Sequence, residues 1–183
     1  MVVLPVLGLV LSLAAAQFNQ DVIVQRNYNM ARISRNWYTI CMASDNMTRI
    51  EENGDLRLFM RNIHLLKNGS LKFDFLFMVQ GECVAVAMVC EKTEKNGEFT
   101  VAYEGENKVL LSETDYRTYV IFYMENIKNG TKTRVLALYG NPLPLDRSYL
   151  KRFVNICQKY GLDSQKIINL TRKDNCYDIP QKN

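Results

Sequence analysis

The chain has 183 residues, 48% hydrophobic and 23% charged, with a formal net charge of +4 at pH 7, enough for one domain with a sizeable core and too little for two. The positive charge is dispersed and never interleaves with aromatic residues, so a nucleic-acid surface is excluded and solubility accounts for it. With one histidine, His64, no Cys/His spacing resembles a metal ligand set, and neither metal nor cofactor is expected.

Residues 1–16 carry no charge, consist mostly of Val, Leu and Ala, and end in Ala14-Ala15-Ala16. They read as a secretory signal cleaved before Gln17, leaving a mature domain over 17–183. The run is shorter than the roughly 20 residues a membrane span needs, and no later segment comes closer. Secretion to the extracellular space makes Cys41, Cys83, Cys90, Cys157 and Cys176 disulfide candidates, although an odd count leaves at least one thiol unpaired within the chain. Sequons at Asn46, Asn68, Asn129 and Asn169 fall at turns or segment ends and are candidate glycosylation sites.

The first predicted strand covers 37–44. A polar loop over 45–55 follows, with the turn signal Asn53-Gly54. Further strands are expected at 56–66, 71–79, 83–91, 99–103, 108–112, 117–125 and 133–139. Within them apolar residues recur at every second position: Leu56, Leu58 and Met60; Phe73, Phe75 and Phe77; Val84, Val86 and Met88; Phe122 and Met124. That period marks half-buried antiparallel strands. The connections are rich in Asn and Gly, which reach positive φ cheaply and suit hairpins. After Asn141-Pro142-Leu143-Pro144 the spacing of Tyr149, Phe153, Ile156, Cys157 and Tyr160 becomes helical. A helix is predicted over 146–160, with Asp146 or Ser148 near its N-cap and Gly161 ending it. A short strand at 167–170 closes the pattern. So many bulky residues on one face must be buried, and about a hundred residues do so most economically as an all-β, eight-stranded antiparallel up-and-down barrel with the helix packed outside.

Three local motifs sharpen this. Arg32-Ile33-Ser34-Arg35-Asn36-Trp37-Tyr38 resembles the opening motif of the lipocalin family, in which a Gly two places before the Trp begins the first strand at the closed end of the barrel. Thr114-Asp115-Tyr116 resembles the family's Thr-Asp-Tyr loop, and Leu138-Tyr139-Gly140 its third motif. With Glu82-Cys83 and Asn175-Cys176 the resemblance covers nearly all of the mature chain and is nearest to the major-urinary-protein and odorant-binding branch. It departs at Arg35, in the place of the Gly, and at Asn141, where many members carry an Arg that covers the Trp. Two placements of Arg35 are open: over Trp37 as a substitute cation, or out in solvent.

The resemblance implies a carrier of a small hydrophobic ligand, such as an odorant, pheromone, retinoid or lipid, lined by Leu58, Met60, Phe73, Phe75, Val86, Met88, Val101, Val109, Phe122, Met124, Val135 and Tyr139. Strand parity agrees for most of these. The interior holds either a cavity or side chains that fill it. Tyr139 is the one polar group at a lining place and either meets a ligand oxygen or is satisfied by backbone. The resemblance also implies a Cys83–Cys176 disulfide and a free, buried Cys157. Cys41 and Cys90 either pair with each other or sit on strands as small hydrophobes.

Other functions are weaker. A cell-surface receptor recognised through the open-end loops would leave the barrel purely structural. One branch of the family is an isomerase with a cavity thiol, and Cys90 shares parity with Met88, but no His accompanies it. The carboxylates, Asp115 included, form no short-spaced pair for acid–base work, so no enzyme activity is expected.

Overall fold

In the computed structural model, which describes residues 27–176, the alternating segments become strands joined by tight turns. They are β1 (Tyr38–Ser44), β2 (Phe59–Leu65), β3 (Leu71–Val79), β4 (Glu82–Lys92), β5 (Glu98–Ala102), β6 (Glu106–Thr114), β7 (Tyr119–Lys128) and β8 (Thr131–Gly140). The helix α1 (Arg147–Lys159) and a short β9 (Ile167–Asn169) follow. The segment expected to be the secretory signal lies outside the described residues. All pairings are antiparallel, in the order β2-β3-β4-β5-β6-β7-β8-β1-β9. A bridge between Asn36 and Asn62 joins the lead-in of β1 to β2, so the strand that opens the order meets the strand near its end.

Turn chemistry explains the hairpins. Gln80-Gly81, Glu104-Gly105 and Asn129-Gly130 each place two consecutive residues at positive φ, the geometry that matches the twist of paired strands. At Gly105 the choice is forced, because a Cβ would lie 2.3 Å from the Ile127 carbonyl oxygen. The second strand begins three residues later than its sequence pattern. Leu56 and Leu58 alternate correctly but belong to the returning loop, where the Leu56 amide donates to the Arg49 carbonyl over 2.9 Å.

The sheet divides two apolar layers. One is the barrel interior, with Met42, Phe73, Phe75, Met88, Phe122, Val135 and Tyr139. The other lies between sheet and helix, where Phe153, Ile156 and Cys157 cover Ile40, Tyr119, Ile121, Leu136 and Leu138. Strands β7 and β8 are therefore buried on both faces and read as nearly continuous apolar runs. The helix is capped by Asp146, whose Oδ1 accepts the Ser148 amide over 2.8 Å.

The base of the barrel is built on Trp37, fully buried, whose indole N–H donates to the Ile33 carbonyl at 2.9 Å. The Arg35 guanidinium lies 4.8 Å over the Trp37 ring and donates to the Arg117 carbonyl at 2.9 Å, so it fills the covering place instead of pointing to solvent. Neither Arg35 nor its neighbours need a positive φ, so the side chain replaces the motif Gly without backbone strain. Beside it, Asp115 Oδ1 accepts the amides of Arg117, Thr118 and Tyr119. Burial pulls this carboxyl upward, but those donors hold it below the usual carboxylate range. Tyr116 turns back at φ 65, carries Arg32 on its face at 4.2 Å and accepts the Asn29 amide. The Thr-Asp-Tyr segment is thus the buckle that fastens the N-terminal segment under the base.

Cys83 and Cys176 form a disulfide, Cα atoms 5.7 Å apart and 93 residues apart in sequence, which ties the tail to β4. A buried ion pair, Arg61–Asp174 at 2.7 Å, seats the tail beside it.

Candidate functional site

Above the packed base the inward side chains stop short of filling the barrel and leave a cavity of about 70 Å³. A buried water needs roughly 10–15 Å³ by this measure, so the space takes a handful of waters or a small molecule. Of the expected liners, Leu58, Phe73, Phe75, Met88, Val101, Val109, Phe122, Met124, Val135 and Tyr139 border it. Met60 and Val86 do not border it, although both pack with the same interior cluster. Met60 sits deeper, where the interior is solid: its amide donates to Thr39 Oγ1 over 2.9 Å and its neighbour Arg61 accepts the Trp37 amide. Val86 stands opposite Phe75 on the β3–β4 ladder, half-buried and one inward place nearer the turn than Met88.

Sequence reasoning passed over Met42, Leu56, Tyr103, Asn107 and Ala137, all of which line the cavity. Ala137 and Leu56 continue the parity of their neighbours. Met42 was concealed by a bulge between Thr39 and Cys41, which breaks the alternation of β1 so that Ile40 and Cys41 both face the helix layer.

The wall is almost wholly apolar, and its aromatic rings pack edge to face: Phe73 with Phe75 at 5.9 Å, Phe73 with Phe122 at 5.3 Å, and Phe122 with Tyr139 at 6.3 Å between centroids. Most of the polar liners are already committed. The Tyr103 hydroxyl donates to the Asp55 carbonyl at 2.7 Å. Asn107 donates to the Val101 and Tyr103 carbonyls and accepts from Asn126. Only the Tyr139 hydroxyl has no hydrogen-bond partner among the described residues. Burial pushes its phenol far above the ordinary value, so it stays a neutral donor at any physiological pH.

Cys90 also faces the cavity, while Cys41 lies in the helix layer with Cys157; the sheet separates Cys41 from Cys90, and all three thiols are free. Desolvation pushes the Cys90 thiol up to about 12, which favours the neutral thiol over the thiolate. His64 is exposed on β2, 3.5 Å from Asp74, outside the cavity lining. In this site Cys90 has the chemistry of a small apolar side chain.

The 45–58 loop folds over the mouth and is latched there. Arg49 grips Asp55 with two hydrogen bonds of 3.0 and 2.7 Å and reaches across to Asn126 at 2.5 Å and Thr133 at 3.3 Å. Lys128 lies 3.5 Å from Asp55 and 2.7 Å from Glu104. The Arg49 guanidinium holds the Asp55 carboxyl below its usual range. Gly54 permits the closure, since a Cβ there would meet the Arg49 carbonyl at 2.3 Å. The four sequon asparagines stand on the surface, Asn68, Asn129 and Asn169 exposed and Asn46 half-buried.

Fold and interior together define a single-chain antiparallel β-barrel with an apolar calyx. Comparison with known proteins agrees: the profile of the lipocalin / cytosolic fatty-acid binding protein family matches residues 34–174. Epididymal-specific lipocalin-9 of Mus musculus is 71% identical over 177 residues, 97% of this chain and 99% of that protein. Major urinary protein 4 of Mus musculus is 38% identical over 151 residues, 82% of this chain and 84% of that one. Among solved structures, the possum milk whey lipocalin trichosurin, crystallised with bound 4-ethylphenol, superposes with a TM-score of 0.74 at 30% identity, covering 78% of this chain and 99% of that one. The chain belongs to the lipocalin family.

Proposed function

We propose that this protein is a secreted, glycosylated carrier that holds one small hydrophobic molecule noncovalently in the barrel cavity, with Tyr139 donating a hydrogen bond to an oxygen on it. The observation that carries this reading is an apolar cavity whose wall offers one uncommitted hydroxyl. Binding is driven by moving apolar surface out of water, at about 25 cal/mol per Å², while the lone donor orients the ligand. The cavity's size favours a compact odorant- or pheromone-sized molecule over a retinoid, and the small phenol bound by trichosurin has that character. Family membership, the disulfide and sequons that all reach the surface support export through the secretory route. The aromatic and Met liners adapt to several shapes, so selection rests mainly on size and one polar group.

The test is saturable displacement of a fluorescent hydrophobic probe by medium-chain ketones and alcohols. Ala137→Phe places a ring in the cavity and is expected to abolish probe binding while near-ultraviolet dichroism stays native. Probe binding that survives this substitution would remove the cavity as the site.

A further inference from the structure

A second concavity lies at the rim of the barrel, between the 52–57 loop, the end of β3, β9 and the tail. The start of β1 and its lead-in meet β2, through the Asn36–Asn62 bridge and the Thr39 hydroxyl, while residues 41–43 pair with β9. The tail that follows β9 runs along this rim, and the groove between tail, loop and β3 tip measures about 750 Å³. It shares no lining residue with the interior cavity. Its floor is apolar, with Phe59, Phe77, Val79 and Ile168, and Val79 is 39% exposed.

The rim is cationic. Arg57, Arg172 and Lys173 line the groove, and none has an ion-pair partner among the described residues. Of the two acids on the lining, Asp55 is spent on Arg49 and Lys128, leaving Glu52 against three cations. Arg57 is the informative member. It is half-buried with its guanidinium 5.9 Å over the Phe59 ring, and burial lowers its pKa despite a distant attraction to Glu52. A partly desolvated cation with no ion pair among the described residues, above an apolar floor, is a place completed by an anion. The wall that carries Arg172 and Lys173 is held firmly: Asp174 is paired with Arg61, Cys176 is bonded to Cys83, and the Lys173 amide donates to Leu170.

We infer that this outer groove is a second ligand site, for a single-chain amphiphilic anion: a free carboxylate whose hydrocarbon chain lies on Phe59, Phe77 and Val79 and whose head meets Arg57, Arg172 and Lys173. The site is independent of the carrier function proposed for the interior. It gives the protein two ligand classes, a compact neutral molecule inside and an anionic chain outside.

The test is calorimetric titration of the disulfide-bonded protein with monomeric decanoate, with decan-1-ol as the neutral counterpart. Decanoate is expected to occupy a site that decan-1-ol does not fill and that weakens as salt rises. The combined Arg57→Gln, Arg172→Gln and Lys173→Gln variant should lose about tenfold in affinity there, the sum expected of three partly solvated charge contacts, while probe displacement from the interior is unchanged. Ala137→Phe should leave the decanoate site intact. The inference is overturned if decanoate binding is insensitive to salt and to the triple variant, or is abolished by Ala137→Phe, which would place it inside the barrel. It is equally overturned if the site emerges only after removal of residues 177–183, or if the cations bind anionic vesicles but no monomeric decanoate. Failure of the interior proposal reads separately, as probe binding indifferent to Ala137→Phe.

Discussion

Tyr139→Phe isolates the one hydrogen bond that the cavity offers. The substitution deletes a single oxygen and keeps the ring, so the edge contact with Phe122, at 6.3 Å between centroids, is preserved. Because the hydroxyl has no partner among the described residues, the empty protein loses no hydrogen bond within the chain and its stability should hold. A bound ketone would lose a hydrogen bond worth roughly 0.5–1.5 kcal/mol net, which converts to about a twofold to twelvefold weaker Kd. An alkylbenzene of similar size has no acceptor oxygen and should bind as before or slightly tighter. The assay is probe displacement by 2-nonanone and by butylbenzene, with thermal melts of both proteins in parallel. Equal weakening for the two ligands would show that the phenol acts through packing, and a lowered Tm would show that its hydroxyl is spoken for within the protein; either result refutes the assignment.

The mouth latch should be acid-sensitive: with the Asp55 carboxyl held below its ordinary value of about 3.9, its contribution is complete above that pH and is lost as pH falls through the lower folded value. Stopped-flow probe release should therefore be flat across neutral pH and accelerate below about pH 4, while Asp55→Asn should be roughly fivefold faster at pH 7; a wild-type rate unchanged down to pH 3 would dismiss the latch. Replacing both Cys83 and Cys176 with Ser opens a 93-residue closure worth about 4 kcal/mol, which should lower Tm by about 10 °C; a drop under about 2 °C would show that the tail is held without it. Arg35→Ala removes the cation 4.8 Å over the chain's one tryptophan and a hydrogen bond to Arg117. It should cost about 1–2 kcal/mol and shift Trp37 emission; an unaltered spectrum and melt would mean that the stacking carries no energy.

Local pattern alone determined the strands, most turns and the helix of this protein. Period-two spacing in 71–79 fixed which side of β3 is apolar, and the helical spacing of Phe153, Ile156 and Cys157 fixed the stripe that α1 buries, because both signals repeat within a few residues of chain. The sequence also named most of the cavity wall, since parity carries over from strand to strand. What it could not supply depended on contacts between distant segments. The bulge at Thr39 and Cys41 hid Met42; the solid packing around Trp37 removed Met60 from the wall; and the fate of Arg35 waited on where the Arg117 carbonyl and the indole came to lie. Whether the barrel would be plugged or hollow, and that the tail would leave a charged groove at its rim, are properties of summed volumes and of segments 93 residues apart meeting at one disulfide. Alternation tells each side chain which way to point; only the folded sheet decides how much room is left when they all arrive.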